Sequence, residues 1–208
     1  MVAGRPPPGR AGRVWLAGRV DVAGRAAKLL DHKQQLLRRE EARFAALAER
    51  THRDWEALAA EAGRRSAQAL VAGGRDALHR AAAAVGEAHA ELTWTTEAGV
   101  TYPSTATTRL PPPPALGGDV ALVGAADACR RALAAAVQDA AAAAALERVS
   151  AECVATAHRL RAIRDRLLPE LRAELVDADR RLEETEREET TRLRWTQRRQ
   201  PTDSEVGR

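Results

Sequence analysis

The sequence predicts an all-α protein whose two ends pair as a long antiparallel two-helix coiled coil, with a middle knob of shorter helices and a small β-hairpin or loop. Three observations predict it. Two segments, one at each end of the chain, carry apolar residues in steps of three and four that sum to seven, the spacing of a coiled-coil seam. Aromatic residues are only 3% of the chain, too few for a thick globular core, whereas the apolar 45% is dominated by alanine and suits helices in close contact. Charged residues make up 30% and fall at helical spacings, which favours exposed helix faces.

Taken in order, residues 1–13, MVAGRPPPGRAGR, combine Pro, Gly and Arg with little that is apolar, and read as a disordered basic arm. A long helix is expected over residues 14–72. One of its seam positions reads Leu16, Ala23, Leu30, Leu37, Phe44, Thr51, Leu58 at strict sevens, and the other Val20, Ala27, Gln34, Glu41, Ala48, Trp55, Ala62. The polar members Gln34, Glu41 and Thr51 either set the register of the pairing or lie on a solvated edge of the seam. Gly18 and Gly24 lower helix propensity by about 1 kcal/mol each relative to alanine, so the first turns need a partner. Gly63, Gly73 and Gly74 loosen the far end and are expected to break off a shorter helix over residues 75–90.

The middle, residues 73–120, changes character at Thr93, where TWTTEAGVTYPSTATTRL turns rich in Thr, Val, Trp and Tyr. That composition predicts a hairpin or extended loop turning at residues 97–99. Consecutive prolines at 111–114, followed by Gly117 and Gly118, predict a stiff connector. Asp119 can then cap a C-terminal helix over residues 121–200, followed by a frayed tail at 201–208.

Within that helix the stretch 149–197 carries the second seam: Val149, Cys153, Thr156, Leu160, Ile163, Leu167, Leu171, Leu175, Ala178, Leu182, Thr185. The steps around Leu167, Leu171 and Leu175 are consecutive fours, a stutter that locally unwinds a supercoil, and they coincide with Pro169. The stretch would be about 70 Å long at 1.5 Å per residue, so it needs a partner of similar length. The N-terminal helix meets that need. Antiparallel pairing would bring both chain ends to one tip, with the middle region as a broader opposite end.

The net charge of +4 is unevenly spread. Residues 1–39 hold nine Lys or Arg against Asp21 and Asp31, a balance of +7, which favours an acidic partner such as nucleic acid, lipid head groups or a negative protein surface. No apolar h-region follows the basic arm, and the most apolar stretch, 132–146, is too short and is interrupted by Gln138 and Asp139. These features predict a soluble, cytosolic chain without direct membrane insertion. Cys129 and Cys153 read as small apolar residues in a reducing compartment.

Signatures of chemistry are missing from the sequence. There is no G-x-x-x-x-G-K-[ST] phosphate loop, no H-E-x-x-H metal pattern among the five histidines, and no G-x-S-x-G nucleophile setting. The reading is therefore of a non-enzyme with no cofactor, metal or catalytic residue. Glutamates 183, 184, 186, 188 and 189 read as a solvated helix face paired with Arg180, Arg181, Arg187 and Arg192. A basic nucleic-acid-binding protein or a free-standing coiled-coil adaptor is the alternative, but no aromatic stacking set is interleaved with the arginines, which argues against nucleic acid as a partner.

Two blocks carry a resemblance: AGRVDVAGRAAKLLDHKQQLL at residues 17–37, and HRLRAIRDRLLPEL at 158–171 followed by LEETEREETTRLRW at 182–195. With AGVTYPS at 98–104 between them, the chain resembles the D subunits of the V-type and A-type rotary ATPases, which form the central-stalk shaft. It departs from the family pattern at Arg161 and Arg164, where the family has an amide and an acid. The resemblance implies that the terminal coiled coil enters the catalytic hexamer of A and B subunits. It also implies that the middle region meets the socket subunit of the membrane ring and that the small F component of the stalk binds alongside. Torque would then pass between nucleotide chemistry and ion transport, with the chain cytoplasmic and peripheral to the membrane. Arg13, Arg19, Arg25, Arg194 and Arg198, placed at the shared tip, are the expected contacts to the hexamer.

Overall fold

A computed structural model describes residues 6–112 and 119–199. The chain is mostly helical, with one two-stranded sheet among the described residues. Helix α1 spans Gly9–Ala83, strands β1 and β2 span His89–Glu97 and Val100–Arg109, and helix α2 spans Val120–Ala162. A π-helical turn over Ile163–Leu167 then leads into helix α3, Leu168–Arg199. The expected connector residues Pro113, Pro114, Gly117 and Gly118 lie outside the described residues, as do the first five residues of the basic arm and the expected tail 201–208.

The chain divides into two compact units, one of residues 1–32 with 157–208 and the other of residues 33–156. In the first, Leu16, Ala23 and Ala27 of α1 are buried against Leu160, Leu168 and Leu171, with Val20, Leu30, Ile163, Leu167, Leu175 and Ala178 half-buried around them. The order of contacts is antiparallel: Arg10 meets Glu186, Arg13 meets Asp179, and Asp31 meets Arg164. The departing arginine at 164 thus has a carboxylate partner.

Helix α1 starts at Gly9, within the stretch expected to be a disordered arm through Arg13. Gly9 and Gly12 are poor helix formers, and the difference lies in tertiary partners. Arg10 and Arg13 donate to Glu186 at 2.7 Å and Asp179 at 2.5 Å, and Gly12 is buried where an added Cβ would run into the Pro7 carbonyl.

The π turn corrects the stutter. Pro169 has no N–H for the Asp165 carbonyl, and in a regular α-helix its ring would press on that carbonyl. Here the Leu168 N–H reaches back to the Ile163 carbonyl instead, closing a turn wider by one residue. The inserted residue makes Leu168 the buried seam member, while Leu167, expected in that place, is half-buried. After it the seam resumes plain heptad steps through Leu171, Leu175, Ala178 and Leu182.

In the second unit, Leu37 and Phe44 of α1 pack with Ala145, Val149 and Cys153 of α2 and with Val100 and Tyr102 of β2. Farther along, Ala69 packs with Leu122 and Ala125. Pairing is again antiparallel, shown by Lys33 with Glu152 at 2.7 Å, Glu41 with Ser150 at 2.6 Å, and Thr51 with Asp139 at 3.3 Å. Gln34 is buried, whereas Glu41 and Thr51 are half-buried and hydrogen-bonded across the pair, so the polar seam residues are not merely a solvated edge. Leu58 is half-buried.

Helix α1 continues through Gly63 but breaks at Gly74, whose φ of 76° and ψ of 174° are open to glycine without strain. The segment after the break ends at Ala83, seven residues short of the expected 90, because the chain enters β1 at His89 rather than Thr93. The hairpin turns at Ala98 and Gly99, both with positive φ as a type I′ turn requires. Asp119 caps α2 by accepting from the N–H groups of Ala121 at 3.0 Å and Leu122 at 3.3 Å.

The hairpin register shifts between Thr93 and Trp94: Thr93 pairs with Thr105 and Trp94 with Pro103, leaving Ser104 as the extra residue of a bulge on β2. The bulge changes the face that packs inward, from Val100 and Tyr102 near the turn to Ala106 farther along. Pro103, which has no N–H, sits beside it.

Candidate partner interface

The five arginines expected to contact a partner all belong to the unit that holds both terminal segments. The structure puts them in three different settings. Arg13 lies at the seam margin in its ion pair with Asp179, and Arg25 pairs with Asp21 one turn away at 3.1 Å. Arg19 places its guanidinium 4.8 Å from the centroid of the Trp15 ring, a cation–π contact that covers an otherwise half-exposed aromatic. Arg194 and Arg198 are exposed on α3.

Electrostatically this surface is mixed. Arg194 lines an open surface depression of about 500 Å³ together with Glu183, Glu186, Arg187 and Thr190. Of the acidic run, Glu183 pairs with Arg187 at 3.4 Å as its i, i+4 spacing predicts, but Glu186 is drawn across to Arg10. Such exposed pairs are worth little individually, about 0–1 kcal/mol, and can exchange for partner contacts at small cost. Asp179 and Glu186 went unnoticed as seam-flanking acids in the sequence. Their seven-residue separation, opposite basic residues on the other helix, was the available signal.

The first segment also closes a cavity of about 590 Å³ between Pro6–Pro8 and the α3 residues Glu174, Asp177, Ala178, Arg181 and Leu182, with Leu16 at its base. Its lining is mainly helix flank and proline ring, with no convergent set of donors that would orient a substrate. Among the described residues no group of three His, Cys, Asp or Glu could hold a metal ion, and no helix is long and apolar enough to cross a membrane.

The two cysteines part company. Cys153 is buried in the core of its unit, and burial, then its hydrogen bond to Glu41 and that carboxylate's charge, push the thiol pKa up, so it packs as an apolar residue. Cys129 is exposed, with its sulfur 3.7 Å from Ser66 Oγ.

No curated protein matches this chain. A family model described as that of the ATP synthase D subunit matches residues 15–198, which takes in both terminal seam segments, the hairpin and the π turn. On a match covering that much of the 208 residues, the chain belongs to the family of ATP synthase D subunits.

Proposed function

We propose that the chain is the central rotor shaft of a V/A-type ATPase or ATP synthase. In this reading it passes torque between the catalytic hexamer of A and B subunits and the ion-translocating ring of the membrane. The small F component of the stalk and the socket subunit of the ring are its other partners. The protein itself is non-catalytic, cytoplasmic and peripheral to the membrane.

Beside family membership, the observation that carries this reading is the antiparallel pairing of the two sequence ends, marked by Arg10 with Glu186, Arg13 with Asp179 and Asp31 with Arg164. Two helices joined along a seam resist bending and twisting more than one helix does. Their outward faces here carry charge pairs of low individual strength, which suits contacts that must form and release during rotation. Arg13, Arg19, Arg25, Arg194 and Arg198 are assigned to the hexamer contact, with Arg194 and Arg198 the most available. The seam set of Leu16, Leu30, Leu37, Phe44, Leu58, Leu160, Ile163, Leu171, Leu175 and Leu182, with Leu168 in the place expected for Leu167, keeps the pair together.

The test is reconstitution. The chain should co-purify with an A and B hexamer and restore coupling of ATP turnover to ion transport in a complex prepared without it. A complex that lacks the chain and remains fully coupled would sink the proposal.

A further inference from the structure

The hairpin has one covered edge and one open edge. On β2, the carbonyls of Thr101 and Ala106 accept hydrogen bonds from α2, from Arg148 at 3.4 Å and from Gln138 respectively. Strand β1 belongs to a two-stranded sheet with β2 as its neighbour, and eight of its nine residues are exposed, Thr95 being half-buried. Natural edges are commonly blunted by proline, lysine or a bulge, and β1 has none of these, since the bulged residue is on β2. Leu92 and Trp94 lie exposed in its middle.

The hydrogen-bond phase of that edge can be read from its partner. Because the Thr101 and Ala106 carbonyls turn away from β1, their cross-strand partners Thr96 and Leu92 sit in non-hydrogen-bonded pairs. Ala90, Leu92, Trp94 and Thr96 therefore turn their own N–H and C=O groups towards the open edge. We propose that this edge pairs with β1 of a second copy of the chain, antiparallel about a two-fold axis at Thr93, giving a four-stranded sheet in a homodimer of the unassembled protein.

Two independent features select this occupant and this register. In a pair centred on Thr93, Leu92 faces Trp94 of the second copy and Ala90 faces Thr96, so every outward-turned residue meets another outward-turned residue. Side chains match as well: His89 lies opposite Glu97, Glu91 opposite Thr95, and Leu92 beside Trp94, with no glutamate facing a glutamate. All nine residues take part, whereas a centre moved by one residue in either direction leaves two residues at one strand end unpaired, and a centre between two residues breaks the hydrogen-bond phase.

The experiment uses the full chain alone, so it does not depend on the proposed rotary role. Sedimentation velocity should show a dimer that populates with rising protein concentration. In a Cys129→Ala background, which removes the exposed native thiol, Thr93→Cys should give a covalent dimer on mild oxidation, because the two residues face each other across the axis. Leu92→Pro removes an N–H that β2 does not use and should shift the equilibrium at least tenfold towards monomer. A chain that stays monomeric and gives no Thr93→Cys cross-link overturns the proposal. So does a dimer that Leu92→Pro leaves unchanged, which would place the contact on a helical face.

Discussion

The rings of Phe44 and Tyr102 meet edge to face, with centroids 4.8 Å apart and planes inclined by 70°. This contact joins α1 to the hairpin within the same unit, and the Tyr102 hydroxyl goes on to donate to Glu97 at 2.8 Å. Phe44→Ala should destabilise the protein by about 3–5 kcal/mol. Tyr102→Phe keeps the ring and should cost only about 1 kcal/mol. Chemical denaturation of both variants checks the order, and equal losses would mean that the hydroxyl, rather than the ring pair, holds the hairpin.

Tyr102 also makes an alkaline prediction. Burial first, then the hydrogen bond and charge of Glu97, raise its pKa above the ordinary value of 10.0. The folded state therefore favours the neutral phenol. That contribution is complete below the unfolded value and is lost as pH rises through the folded one. The ultraviolet titration of the single Tyr should have its midpoint above the ordinary value of 10.0, and Glu97→Gln should move that midpoint down.

His52 makes a second pH prediction, of opposite charge type. Its ring lies 3.2 Å from Asp139 and 3.6 Å from Glu56, and its pKa is raised above 6.5, chiefly by the hydrogen bond to Asp139, then against some desolvation by the charges of Asp139 and Glu56. A raised histidine pKa favours the folded state below 6.5, and that contribution disappears as pH climbs through the folded value. Proton NMR of the His52 ring should show the raised midpoint, and Asp139→Asn should bring it down. A midpoint unmoved by that substitution would remove the Asp139 contact as its cause.

The π turn makes Leu168 and Leu167 unequal. Leu168 is 7% exposed within the seam, and Leu168→Ala should cost about 2–5 kcal/mol. The half-buried Leu167 should lose markedly less on the same change. Thermal unfolding of the two variants decides it, since a larger loss at Leu167 would restore the uninterrupted heptad register. Pro169→Ala supplies the missing N–H and should allow a regular turn, seen as hydrogen-exchange protection at residue 169.

Close helix approach in the second unit depends on alanine. Ala145 is 0% exposed beside Leu37, Phe44 and Val149, so Ala145→Leu should overpack the core and cost about 1–3 kcal/mol. Ala143, on the outer side of the same helix and exposed, should accept leucine with little change in melting temperature.

Much of this was legible in residue order alone. Heptad spacing marked both seam segments, the Thr- and Val-rich middle marked the hairpin, and Asp119 marked the start of α2, because each of these signals is local: a periodicity, a composition or a cap. Family likeness was legible too, in blocks near both ends. The interface arginines were legible only as candidates, since sequence shows a charge but not the carboxylate that has already claimed it, as Asp179 has claimed Arg13 and Asp21 has claimed Arg25.

The sequence by itself thus determined the helical class, the pairing of its ends and the place of the hairpin, through patterns that repeat over many residues. Tertiary structure decided what hangs on one residue or one distant partner. It extended α1 to Gly9 through Arg10 and Arg13, moved the seam from Leu167 to Leu168 through a π turn beside Pro169, and separated buried Cys153 from exposed Cys129. The physical reason is common to all three. A helical repeat is written in local spacing, whereas a one-residue shift or an ion pair between distant residues is settled by which groups meet when the segments pack.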